Sequence, residues 1–101
     1  MDDLLLKQIK IKENSWVAKL AAKRLRASNI AIVFGRTIHL YNATRHDLVK
    51  NERWLKHELC HVKQYHKYGS LLFIAKYLWE SLRKGYYNNK FEVEAREAEN
   101  L

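Results

Sequence analysis

The chain contains 101 residues, of which 48% are hydrophobic and 12% are aromatic. This is enough apolar material for one small core, so we predict one domain over residues 1–101 and exclude a wholly disordered chain. With no proline and three glycines, the composition favours a helix-rich fold with few long loops. The single cysteine, Cys60, excludes an internal disulfide and is consistent with a reducing compartment.

The sequence has the features of a soluble, cytoplasmic protein. Asp2 and Asp3 lie where a secretory signal peptide needs positive charge, and the apolar run that follows them is too short. The most apolar segment, residues 71–79, is about half the length needed to cross a bilayer and is interrupted by Lys76. We therefore expect no membrane span, and the oligomeric state is left open.

The formal net charge of +8 is large for a chain of this length. It indicates either contact with nucleic acid, an anionic membrane surface or an acidic partner, or simply a solvated helix face. Because no nucleic-acid-binding motif accompanies the charge, we favour the solvated face over a nucleic-acid-binding function. The basic residues concentrate on one early predicted helix at Lys19, Lys23, Arg24 and Arg26.

The first part of the chain predicts a short strand and a helix. Residues 8–12 alternate between polar and apolar side chains, which is typical of a strand. Asn14 or Ser15 can cap the helix that follows, and this helix is expected to reach about Ala27.

Residues 30–34 and 37–41 predict a β-hairpin. They flank a two-residue turn in which Gly35 supplies the positive φ angle. Pairing Phe34 with Thr37 creates an apolar face and a mixed face, and His39 on the mixed face is expected to be a surface residue. The apolar face comprises Ala31, Val33, Ile38 and Leu40.

Three further helices are predicted, over residues 51–68, 71–83 and 91–99, which makes the fold class α+β. The middle helix is apolar over more than half of its circumference, so we expect it to be largely buried. The expected boundary signals are a capped turn at Thr44 with Asp47, a stop at Gly69, an N-cap at Ser70, a stop at Gly85 and an N-cap at Asn89.

The central helix carries an HExxH motif formed by His57, Glu58 and His61. Residues four apart point the same way on a helix, so both imidazoles can reach one metal ion, and Glu58 can polarise a water on it. The helix divides into three predicted faces. The core face has Leu55, Leu59, Val62 and His66; the solvent face has Arg53, Lys56, Lys63 and Gln64; the metal face has Trp54, His57, Glu58, His61 and Tyr65. Cys60 is expected to be a small, semi-buried residue.

A catalytic zinc site needs a third protein ligand besides His57 and His61. Lys67 stands where an extended motif would place a third histidine, so the carboxylates of the last helix remain. Glu92 and Glu94 flank the apolar side of that helix, and geometry alone leaves both open. The other two acidic residues there, Glu97 and Glu99, are expected to be solvated charges.

The chain resembles the gluzincin metallopeptidases, most closely the minigluzincins and related small bacterial HExxH domains. The similar segments are HELCHVKQYHKYG, LLFIAKYLWESLRKGYYNN and FEVEAREAE, within a region of residues 15–99. The resemblance implies a zincin-like minimal domain, Zn²⁺ held by His57, His61 and Glu92, and a peptide or protein substrate along the hairpin edge. The family signature places Ala three residues after the ligand Glu and often Asp at four; here Ala95 matches and Arg96 departs.

The resulting hypothesis is a zinc-dependent metallopeptidase in which Glu58 activates a zinc-bound water for peptide hydrolysis. Tyr65, Tyr86 or Tyr87 could stabilise the oxyanion, and the sequence does not rank them. The alternatives are a zinc-binding interaction module without turnover and, less favoured, a basic nucleic-acid-binding protein.

Overall fold

The computed structural model describes residues 8–101, and the predictions for the first seven residues lie outside this part of the chain. Within residues 8–101 the fold is α+β, as predicted, with five helices and a three-stranded sheet. In chain order the elements are β1 (Lys10–Lys12), α1 (Trp16–Leu25), β2 (Ile30–Phe34), β3 (Thr37–Tyr41), α2 (Arg45–Lys50), α3 (Glu52–Tyr68), α4 (Ser70–Asn88) and α5 (Lys90–Ala98).

The predicted hairpin forms the larger part of the sheet. Phe34 lies opposite Thr37, and Gly35 has the expected positive φ of 64°. β3 is the central strand: β2 pairs with it in antiparallel fashion and β1 in parallel fashion. Among the described residues, the outer side of β2 pairs with no other strand, so β2 is an edge.

Helices cover both faces of the hairpin. On the predicted apolar face, Ile38 and Leu40 form a fully buried cluster with Leu48 of α2 and Val62 of α3. On the opposite face, α1 packs through buried alanines, and Ser15 Oγ lies 2.8 Å from Nδ1 of His39. Trp54, predicted on the metal face of α3, packs instead against the Ile38 cluster, which corrects that assignment.

Three predicted polar caps begin helices: Ser15 caps α1, the Thr44–Asp47 capping box begins α2, and Asn89 caps α5. Asn51, expected as the first residue of the central helix, is the N-cap of α3. The prediction for α4 was wrong, because its N-cap is Gly69 and no side chain bonds to its first turn. Gly85 breaks the helical path of α4 with φ 79° and ψ 168°, as its position predicted.

Helix α4 is much more exposed than its apolar sequence predicted. Only Phe73 among its large apolar side chains is buried, whereas Leu71 is 87% exposed and Leu82 is 82% exposed. The apolar pattern was wider than the contact area that α3 and α5 provide, so part of it faces outward. No helix within residues 8–101 has the length and apolar character needed to cross a membrane.

A buried asparagine folds α5 back onto α3 and α4. The Asn89 side chain donates to the Tyr77 carbonyl and to Ser81 Oγ, and it accepts from the Phe91 backbone N–H. The Lys90 backbone N–H adds a bond to the Glu80 carboxylate. Because these bonds fix the turn, the first residues of α5 lie directly beside the HExxH motif of α3.

Candidate metal centre

Three side chains from two helices converge on one point. His57 and His61 lie one turn apart on α3, with ring centroids separated by 5.1 Å. The start of α5 brings Glu92 Oε1 to 3.2 Å from Nε2 of each histidine. One ligand atom from each of the three residues lies within 4.8 Å of the others, so this group could hold a metal ion.

Two of the three distances between these atoms match those of a tetrahedral zinc site. Two ligands bound to zinc at roughly 2.0–2.1 Å lie about 3.3 Å apart in a tetrahedron. The two distances of 3.2 Å between Glu92 Oε1 and the imidazole nitrogens agree with that separation. The donor set of two imidazoles and one carboxylate also leaves room for a fourth, non-protein ligand.

The outer nitrogens of both imidazoles are already bonded. Nδ1 of His57 donates to Glu99 Oε2 at 2.8 Å, and Nδ1 of His61 donates to Gln64 Oε1 at 2.8 Å. The Gln64 amide is held in this orientation because its nitrogen donates to the Phe91 carbonyl and to Glu94. Because Nδ1 carries the proton in these bonds, Nε2 of each neutral histidine keeps a free lone pair, and this nitrogen faces the centre.

Glu99 supplies the carboxylate contact to His57 that Arg96, at the position of the expected Asp, had placed in doubt. Arg96, which replaces the Asp expected in the gluzincin pattern, points away: it donates to the Tyr87 carbonyl and lies over the Tyr87 ring at 4.0 Å. Glu99 was predicted to be solvated, but it bonds to His57 and to Arg53 at 3.2 Å. The carboxylate that orients His57 therefore comes from seven residues after Glu92.

Tyr77 of α4 fixes the remaining oxygen of Glu92. Its hydroxyl donates to Glu92 Oε2 at 2.5 Å, on the oxygen that does not face the histidines. Burial, followed by this hydrogen bond, raises the pKa of Tyr77, so the phenol stays protonated as a donor. Both oxygens of Glu92 are thus positioned from different helices.

The electrostatics of the metal-free centre follow from these contacts. Burial alone would lower the pKa of His57, but hydrogen bonds to Glu92 and Glu99 raise it to about 9. The pKa of His61 is also raised, because Glu92 outweighs the opposing effect of burial. Burial opposes ionisation of Glu92, yet its bonds to the two histidines and Tyr77 hold its pKa well below the usual range.

Glu58 lies beside this centre but is not bonded to it. It is 5% exposed, so its carboxylate is largely removed from solvent. Burial raises the pKa of Glu58 to about 7, against the opposing charges of His61 and His57. In the metal-free protein a buried carboxylate with this pKa that borders a cleft can exchange protons near neutral pH.

The centre opens into a cleft of about 460 Å³. β2 forms one wall, α1 and α4 contribute others, and His57, Glu58, His61 and Glu92 lie at the cleft. All five residues of β2 line it, rather than every second one, so the strand presents its edge to the cleft. Of the tyrosines proposed from the sequence, Tyr65 and Tyr86 line the cleft, whereas Tyr87 does not.

Several predicted side chains have other surroundings. Glu94, the alternative third ligand, bonds to Gln64 and contacts Cys60 Sγ at 3.8 Å, not the histidines. Gln64 was predicted to face solvent but is 3% exposed, because α5 covers that side of α3. His66 was predicted to pack in the core but is exposed, whereas His39 is half-buried against Ser15.

Sequence reasoning missed three residues of the centre. Glu99 could have been found, since residues seven apart share a helix face and Glu92 was already a candidate ligand. Gln64 stands three residues after His61, which is a helical neighbour spacing. Tyr77 gave no comparable signal, because its contact depends on how α4 packs against α5.

The family model of the eCIS core domain matches residues 3–69. The chain therefore belongs to the eCIS core domain family. The matched segment contains β1 to α3, with the HExxH motif, and ends before α4 and α5, so Glu92 and Glu99 lie outside it. No curated protein and no solved structure matches the chain.

Proposed function

We propose that this protein is a zinc-dependent metallopeptidase of the gluzincin type. The observation that carries the proposal is the joint placement of His57, His61 and Glu92 around one point, with Glu58 beside them at an open cleft. The likeness of the motif and of FEVEAREAE to minigluzincins supports the same assignment. The donor set of two imidazoles and one carboxylate is a known catalytic zinc set.

A bound zinc ion would lower the pKa of an attacking water towards 7 and polarise the scissile carbonyl. Glu58 accepts the proton of that water and later gives it to the leaving amine. In the metal-free protein burial raises the pKa of Glu58 above that of an ordinary carboxyl, and a carboxyl at the cleft beside the centre can serve as proton acceptor and donor. Glu99 and Gln64 keep the imidazoles oriented throughout.

We assign oxyanion stabilisation to Tyr86. It lines the cleft, and the Tyr77 hydroxyl makes the 2.5 Å bond to Glu92 Oε2. Desolvation, the nearby charges of Glu92 and Glu58 and a hydrogen-bonding interaction with Glu92 raise the pKa of Tyr86 to about 12, so its hydroxyl stays protonated as a donor. Tyr86→Phe should lower kcat about 10²–10³-fold, while Tyr87→Phe, outside the cleft, should leave kcat unchanged.

The substrate is a polypeptide in an extended conformation. The outer edge of β2 lies along the cleft, and backbone groups of an edge strand can pair with an added peptide strand. Since the family is that of the extracellular contractile injection system core domain, we place the substrate among the polypeptides of such a system.

The test is hydrolysis of a quenched fluorescent peptide library by zinc-loaded protein. Glu58→Gln should retain zinc and lose about 10²–10⁴-fold in rate, and Glu97→Gln, an exposed carboxylate on α5, is the matched control. Hydrolysis that persists in Glu58→Gln would remove Glu58 from the mechanism. Zinc binding without hydrolysis by the wild type would favour a non-catalytic zinc-binding module.

A further inference from the structure

The cleft beside the candidate metal centre is apolar apart from the centre itself. Its described lining contains no lysine, arginine or aspartate, and its only glutamates are Glu58 and Glu92. The remaining walls come from aliphatic and aromatic side chains of α1, β2, α3 and α4. This contrasts with a chain that carries a net charge of +8.

The rim of the cleft is apolar on three different elements. Leu25 of α1 is 62% exposed, Phe34 of β2 is 55% exposed and Leu78 of α4 is 61% exposed. Exposing large apolar side chains to water is energetically unfavourable. A cluster of them around one opening is typical of a binding site. Because these three side chains lie on separate elements, they would surround a bound ligand rather than form a stripe along one helix.

We infer that the cleft selects polypeptide segments whose side chains next to the metal centre are bulky and apolar. The inference rests on the proposed function, because it names the substrate class of the same site. Leu25, Phe34 and Leu78 are its specificity-determining residues, and the edge of β2 holds the backbone of the segment.

Acidic and small polar side chains are disfavoured in the cleft. An acidic side chain would lose water against aliphatic and aromatic walls that offer it no lysine or arginine. A small polar side chain would likewise lose water without gaining a partner from these walls. A bulky apolar side chain that binds, by contrast, removes both its own apolar surface and that of the cleft wall from water.

The experiment measures binding rather than hydrolysis. Zinc-loaded Glu58→Gln protein is titrated with three blocked heptapeptides that have glycine flanks and Leu-Phe, Ser-Ser or Asp-Asp at the centre. The Leu-Phe peptide should bind at least about tenfold more tightly than either other peptide. A second set of titrations places Leu78→Lys or Leu25→Lys in the same protein, with Leu82→Lys as the control.

The two lysine variants at the cleft should weaken Leu-Phe binding by about tenfold or more, and the control should change it less than about twofold. The control is matched because Leu82 lies on the same helix and is even more exposed, yet it does not line the cleft. Equal affinity for all three peptides, or equal weakening by all three lysine variants, overturns the inference. If the Leu-Phe peptide binds selectively but the wild-type protein hydrolyses no peptide, the inferred selectivity is supported and the proposed peptidase function is rejected.

Discussion

Nδ1 of His57 and Oε2 of Glu99 are joined by a hydrogen bond of 2.8 Å that links the C-cap residue of α5 to the HExxH helix. The side chain of Glu99 is 21% exposed, and its other oxygen bonds to Arg53. Glu99 thereby fixes the tautomer and the orientation of His57. Arg96 occupies the sequence position where the gluzincin pattern has an Asp, and here the carboxylate that contacts His57 lies three residues further along the chain.

Glu99→Gln should weaken zinc binding about 10–100-fold without unfolding the protein. The substitution keeps the shape of the side chain but replaces a charged acceptor with a neutral amide, which makes His57 a poorer ligand. Competition with a zinc-binding dye gives the dissociation constant, and circular dichroism monitors folding. Glu97→Gln, two residues away and exposed, should bind zinc like the wild type. Equal affinities in the two variants would mean that Glu99 does not position His57.

Tyr77→Phe should reduce zinc affinity about tenfold while leaving the packing of α4 intact. It removes only the hydroxyl that donates to Glu92 Oε2, and the ring still contacts Phe73 and Phe91. The dye competition assay measures this change, with Tyr87→Phe as an exposed control on the same helix. A zinc affinity unchanged by Tyr77→Phe would show that Glu92 is held well enough without this bond.

Zinc affinity should rise with pH until about pH 9. Burial alone would lower the pKa of His57, but Glu92 and Glu99 raise it to about 9 in the metal-free protein. Below that pH a proton must therefore leave His57 before the metal binds. Each displaced proton changes the affinity about tenfold per pH unit. Calorimetry in buffers of different ionisation enthalpy counts the protons released. Affinity independent of pH between about 6.5 and 8.5 would be incompatible with this charge arrangement.

The exposure of α4 predicts a sharp contrast between two of its residues. Phe73→Ala should lower the free energy of unfolding by about 3–5 kcal/mol, since Phe73 is 2% exposed and packs against several aromatic rings. Leu82→Ala should change it by less than about 0.5 kcal/mol, because Leu82 is 82% exposed. Chemical denaturation measures both values. A large loss in Leu82→Ala would indicate that this face is covered in solution, as the apolar sequence pattern predicted.

Local signals in the sequence predicted most of the fold. Gly35 fixes the hairpin turn, and Ser15, Thr44 and Asn89 start helices, because each acts on neighbouring backbone groups. The pairing of Phe34 with Thr37 followed from the turn length alone. The apolar face of the hairpin was also predicted correctly, since strand alternation depends only on register.

Contacts between helices could not be predicted in the same way. Periodicity shows which side of α4 is apolar, but not how much of that side α3 and α5 can cover, so Leu71 and Leu82 were wrongly expected to be buried. It also does not show which side of α3 receives α5, and Gln64 was misplaced for that reason. The convergence of Glu92 with the histidines required the resemblance to gluzincins, because helix geometry left Glu94 equally open.

The most direct test of the central claim is the zinc stoichiometry of purified protein, measured by elemental analysis after dialysis. We expect one ion per chain in the wild type and in Glu58→Gln, because Glu58 is not a ligand. We expect loss of the ion in His57→Ala and Glu92→Ala, each of which removes a donor from the converging group. Stoichiometric zinc in Glu92→Ala, or no zinc binding by the wild type, would contradict the assignment of this centre.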